Sequence, residues 1–131
     1  MSQIASGEFD VSLTPRELFT PDASKLLGRL TIAKQFRGDL TASSIGEMLS
    51  AMTGVKGSAG YVAIERVTGT LHGRSGTFVL QHSGIMTRGA PGLSVQVVPD
   101  SGTDELTGLA GTMQIVIEAG RHSYVLSYEL G

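Results

Sequence analysis

YVAIERVTGTLHGRSGTFVLQHSGIM, residues Tyr61 to Met86, decides the fold. Two stretches of alternating apolar and polar residues flank His72-Gly73-Arg74-Ser75, a turn signal. A period of two marks a strand, because successive side chains there point to opposite faces. With Gly73 and Arg74 as a two-residue loop, His72 pairs with Ser75, which sets Glu65 across from His82 and Arg66 across from Gln81. One face of this hairpin carries Tyr61, Ala63, Glu65, Val67 and Leu71 with Phe78, Leu80, His82 and Met86. The other carries Val62, Ile64, Arg66 and Thr68 with Thr77, Val79, Gln81 and Ser83. The first is bulkier and more apolar, so it is expected to face a core or cavity.

The same alternation recurs on both sides. Phe9, Val11 and Leu13 alternate with Glu8, Asp10 and Ser12; Leu30, Ile32, Lys34 and Phe36 alternate with Thr31, Ala33, Gln35 and Arg37. Leu93–Val98, Leu109–Glu118 and His122–Leu130 follow it too. Turn signals fall at Gly89 with Pro91 and Gly92, at Pro99-Asp100-Ser101-Gly102 and at Gly120. Many short strands at this spacing predict an all-β, antiparallel sandwich or barrel. Leu13–Lys25, which holds Pro15 and Pro21, reads as an irregular connection. One segment is ambiguous. Ile45, Met48, Leu49 and Met52 have helical spacing, with Ser44 and Glu47 as a capping box, but Ile45, Glu47, Leu49 and Ala51 also fit one face of a strand.

Composition bounds the function. The chain has 131 residues, suiting one domain spanning residues 1–131, with 10 Lys+Arg against 12 Asp+Glu and no cysteine. Without cysteine there is no disulfide, thiolate nucleophile or zinc-cysteine cluster. Scattered basic residues supply no stripe for nucleic acid. No apolar run approaches the ~18 residues of a membrane helix, so no membrane partner is expected. The start lacks a signal peptide's basic and apolar regions, and a cytoplasmic protein is expected. The 18 glycines suggest many turns and close strand approaches. His72, His82 and His122 have no short metal-ligand spacing, so neither a metal nor a cofactor is expected. No GxSxG elbow or phosphate loop occurs.

Glu65 and His82 are the candidate catalytic residues. On one apolar face, burial raises the carboxyl's pKa and lowers the imidazole's, while mutual attraction opposes both. Such a pair suits proton transfer, or it can simply fix strand register. Arg66 and Arg74 invite an anion-binding reading, but Arg66 is expected to lie outward over Val79 and Ile64, and Arg74 to be solvated at the hairpin tip. Tyr124 and Tyr128 share a face with His122, Leu126 and Leu130, where their hydroxyls suit either a pocket or a core.

The runs IERVTGTLHGRSGTFVLQHSG, VVPDSGTDELTGLAG and YVLSYEL resemble the bacterial domain-of-unknown-function family 3224, over about Gly7 to Leu130. That resemblance implies an eight-stranded antiparallel barrel like allene oxide cyclase, related in shape to the lipocalins. It also implies a strand at Ser43–Met52. Val95, Met48 and Met52 stand where the family commonly has aromatics, which alters any cavity. The family supplies no activity, and a shared barrel transfers none.

The leading expectation is a barrel binding a small, mainly apolar ligand through Tyr61, Glu65, Phe78, His82, Tyr124 and Tyr128. Eight-stranded barrels either fill their interior with side chains or hold one small ligand, and the small or polar inner candidates Ala63, Gly84 and Gln114 are compatible with both. The alternatives are a cyclase or isomerase using Glu65 and His82, and a packed structural module. A homodimer through Val62, Ile64, Val79 and Ile85 is expected in each case.

Overall fold

The computed structural model describes residues 2–18 and 26–131. Eight antiparallel strands close into a barrel in chain order: β1 (Gln3–Arg16), β2 (Leu27–Phe36), β3 (Leu40–Met52), β4 (Ala59–Leu71), β5 (Arg74–Thr87), β6 (Ala90–Val97), β7 (Leu109–Glu118) and β8 (Arg121–Leu130), which returns to β1. The ambiguous segment is therefore strand. Ile45 and Leu49 lie outward, 64% and 52% exposed, while Ser44 is buried inside. Tertiary pairing of β3 with both neighbours over its length overrides the local helical spacing.

Three hairpins share one turn chemistry. His72-Gly73, Arg88-Gly89 and Ala119-Gly120 each have two successive positive φ values, as a twist-matched two-residue hairpin loop requires. The loop after β4 is thus His72-Gly73, and Leu71 pairs with Arg74. This shifts the predicted register by two residues. Glu65 faces Leu80 rather than His82, Arg66 faces Val79 rather than Gln81, and His82 faces Ala63. A shift of two preserves the faces, so Glu65 and His82 remain on one side as diagonal neighbours. His72 tolerates its φ of 47° because its ring is held by the Tyr128 hydroxyl and its backbone N–H donates to the Asp39 carbonyl.

Other boundaries also move. Leu13, Thr14, Pro15 and Arg16 continue β1 instead of starting a connection; the expected irregular stretch at residues 19–25 lies outside the described residues. Pro91 and Gly92 belong to β6, since Arg88-Gly89 alone makes the turn. Gln114 points outward, because Met113 and Ile115 take the inward positions of β7.

The two ends of the barrel differ. At one end the long β6–β7 connection runs beside β5, bonded to Val79, Thr77 and Ser75 in turn, and its 3-10 turn, Asp104–Leu106, inserts fully buried Leu106. Beneath it pack Leu40, Leu71, Phe78, Leu109, Leu126 and Tyr128. Phe9 packs tilted against Phe36 at 5.4 Å between ring centroids, and Phe36 meets Tyr124 edge-on at 5.5 Å. The Tyr124 hydroxyl accepts from Leu40 N–H at 2.9 Å and donates to the Arg37 carbonyl at 2.7 Å, pinning the β2–β3 corner. At the other end the inward positions are apolar yet exposed: Met52, Met86, Leu93 and Ile117 are 43–69% accessible. There β6 and β7 diverge, sharing only the Gln96–Thr112 pair. One end is plugged and the other open.

Candidate functional site

Four neighbouring strands each contribute one polar side chain to the interior between these ends. Glu65 of β4 accepts from Lys34 Nζ of β2 at 2.9 Å and from His82 Nε2 of β5 at 2.7 Å, both on Oε1. Ser44 Oγ of β3 donates to Oε2 at 2.6 Å. The four residues are 0–6% exposed. Gly46, the cross-strand partner of Glu65, makes room for this: a Cβ there would lie 2.7 Å from Cβ of Glu65 and 2.2 Å from the Ile64 carbonyl oxygen. Lys34 Nζ also lies 5.0 Å from the Phe9 ring centroid and 5.8 Å from that of Phe36, so aromatic faces solvate its other side.

The electrostatics follow from this geometry. Burial by itself pushes the Glu65 carboxyl up. The His82 hydrogen bond, the Lys34 charge and the Ser44 and Lys34 hydrogen bonds outweigh burial and bring it down to about 2. Glu65 is therefore a carboxylate at neutral pH, able only to accept, and His82 must present Nε2–H to it. Among the described residues, Nδ1 of His82 has no hydrogen-bond partner. No fully buried side-chain nitrogen or oxygen among the described residues lacks a partner, so Nδ1 keeps some accessible surface.

Above this layer, at the open end, lies a cavity of about 630 Å³. Its wall includes Met48, Tyr61, Met86, Leu93, Ile115 and Ile117, and no charged side chain lines it. Tyr61 links cavity and network, with its ring centroid 6.5 Å from that of His82. Burial, then the charge of Glu65, raises its phenol pKa, so it stays a neutral hydroxyl. Gly84, directly across from Tyr61, admits the ring: a Cβ there would sit 2.4 Å from Tyr61 Cε1.

Of the sequence-derived site residues, the structure brings Tyr61, Glu65 and His82 together. Phe78, Tyr124 and Tyr128 lie in the plugged half, each within 2% of complete burial. Tyr128 is bonded there to His72 and Gln3. Lys34 and Ser44 were not singled out as site residues. The signal for Lys34 was its inward phase among Leu30, Ile32 and Phe36; Ser44 carried none beyond parity. Arg66 and Arg74 are exposed. Among the described residues no three His, Asp or Glu cluster as metal ligands, and no helix is long and apolar enough to cross a membrane.

Comparison with known proteins places this geometry among relatives. The family described as a protein of unknown function (DUF3224) matches residues 5–128. A protein of unknown function from that family in Shewanella oneidensis MR-1, known from its crystal structure, is 55% identical, with a TM-score of 0.95. The match covers 100% of this chain and 98% of that one. No curated protein matches.

Proposed function

We propose a function for a chain that belongs to the DUF3224 family of proteins of unknown function: it binds a small, mainly apolar ligand in the open half of its barrel. The observation that carries this reading is the cavity of about 630 Å³, lined mainly by apolar side chains and by Tyr61, whose ring lies beside His82 of the polar layer. That combination of apolar enclosure with a few fixed polar groups is the usual anatomy of a small-molecule site. The inward Met, Leu and Ile side chains at this end are exposed, a cost that a bound apolar molecule would offset.

Mass spectrometry of an extract from denatured, freshly purified protein tests the reading. A stoichiometric apolar molecule is expected. An empty extract, together with failure to take up a nonpolar fluorescent probe, would sink it. Gly84→Ala supplies a sharper version. Its methyl must displace the Tyr61 ring from the cavity base, so probe affinity should fall by roughly tenfold while the barrel loses about 1–3 kcal/mol and still folds. Unchanged affinity would remove Tyr61 from the site.

A catalytic reading, a cyclase or isomerase moving a proton through Glu65 and His82, draws less support from the same geometry. Glu65 is held ionised by three donors, so it is poorly suited to donate a proton and serves to orient His82.

We also propose that a second copy covers the outer face of β3, β4 and β5. Ile45, Leu49, Val62, Ile64 and Ile85 lie there, each about half exposed or more, on adjoining strands. Sedimentation should show a dimer at micromolar concentration, and Ile64→Glu should convert it to monomer. A wild-type chain that sediments only as monomer contradicts this.

A further inference from the structure

We propose that the open end of the barrel is a docking surface for a bilayer carrying anionic phospholipids, with the rim of the mouth laid against the headgroups. The proposal does not rest on the ligand-binding reading, since a barrel filled with side chains would present the same rim. Strands alternate in direction around the barrel, so the turns after β3, β5 and β7 all stand at the open end. Each carries one exposed cation, Lys56, Arg88 and Arg121 in order. At or just before these turns lie Met52 and Val55, Met86, and Ile117, apolar side chains 43–69% accessible.

Two of the turns are fastened together. Gly89 N–H donates to the Gly57 carbonyl at 2.9 Å, and Arg88 N–H donates to the Ser58 hydroxyl at 3.1 Å. Gly57 permits the approach, since a Cβ there would lie 2.7 Å from the Gly89 nitrogen. Lys56 and Arg88 are thereby held on adjoining turns. Neither forms an ion pair with a carboxylate among the described residues, whereas Arg29, Lys34 and Arg37 are each paired. Like charges fixed on one rim without a counter-ion suit an anionic surface.

The plugged end has the opposite sign. Asp39, Asp100, Asp104, Glu105 and Glu129 are exposed there, against Arg74 and an Arg37 already paired with Asp10. At the open end the described carboxylates are Glu17 and Glu118, against Arg16 and the three turn cations. With a formal net charge of -2, the molecule as a whole would be repelled by anionic lipid. Attraction needs this end-to-end asymmetry, which turns the mouth toward the bilayer. The apolar rim then gains burial at the interface, where buried apolar area and charge act together. Docking of this kind needs no spanning helix, and none occurs among the described residues.

The experiment sediments the full chain with vesicles of phosphatidylcholine alone and with vesicles holding about 30% phosphatidylglycerol. The anionic vesicles should bind at least about tenfold more tightly, and about 0.5 M salt should remove most of that gain. Lys56→Glu should weaken binding about tenfold, whereas Arg74→Glu, the same reversal at the plugged end, should change it less than about twofold. Val55→Ser leaves the charge alone and should still weaken binding about threefold. All three positions are exposed, and unchanged thermal melts check that each variant folds. A wild-type chain that stays in the supernatant with anionic vesicles overturns the proposal. So do equal losses from Lys56→Glu and Arg74→Glu, which would make total charge and not the mouth decisive. No effect of Val55→Ser would mean that the rim does not enter the interface, and overturns it as well.

Discussion

Glu65→Leu should destabilise the barrel by about 3–5 kcal/mol, a large share of the roughly 5–15 kcal/mol by which a domain of this size is stable. The leucine is not at fault, since its volume suits the site. The loss comes from Lys34, whose ammonium would stay 6% exposed with its carboxylate gone and only aromatic faces around it. Removing one partner of a buried pair leaves an uncompensated charge. His82 Nε2 would also lose its acceptor. Denaturant melts measure the loss, and a drop below about 1 kcal/mol would mean that Lys34 escapes to solvent.

The same argument predicts the repair. Lys34→Met combined with Glu65→Leu replaces the pair with apolar groups of similar volume and should recover most of the loss, because a buried pair's desolvation nearly cancels its attraction. The double variant would fold without the group that orients His82. Stability regained while affinity for a nonpolar fluorescent probe stays low would separate the network's two roles, closing the barrel interior and orienting His82 beside Tyr61.

Much of this was legible in the alternation of residues. Parity alone set Glu65 and His82 on one inward face, and it survives the two-residue register error because a shift of two turns no side chain over. The error arose at His72, where a turn rule that expects glycine or asparagine at positive φ gave no reason to choose histidine. Lys34 shows the opposite failure. Its inward phase among Leu30, Ile32 and Phe36 could be read directly, but its partner depended on how far the strands are staggered around the barrel. That stagger is a property of the closed sheet. The cavity was least legible, for the same reason. Phe78, Tyr124 and Tyr128 have the same inward phase as Tyr61, yet the plug carrying Leu106 buries that end while the diverging β6 and β7 leave the other open.

Acid should unfold the protein in a window set by Glu65. Its carboxyl titrates near 4.5 in the unfolded chain and at about 2 in the barrel. As pH falls through the upper value, the unfolded chain binds a proton that the native barrel refuses, so stability falls with pH. The contribution is fully present above about pH 5 and is lost progressively toward pH 2, amounting to about 3 kcal/mol across the range. Protonated Glu65 would also strand Lys34, so acid and Glu65→Leu attack the same contact. Urea midpoints measured from about pH 7 to about pH 3 should decline in the wild type. In the Lys34→Met, Glu65→Leu variant that part of the slope should vanish, leaving only what other carboxylates impose. Equal slopes for the two proteins would mean that Glu65 titrates alike folded and unfolded, and that the network does not hold its charge.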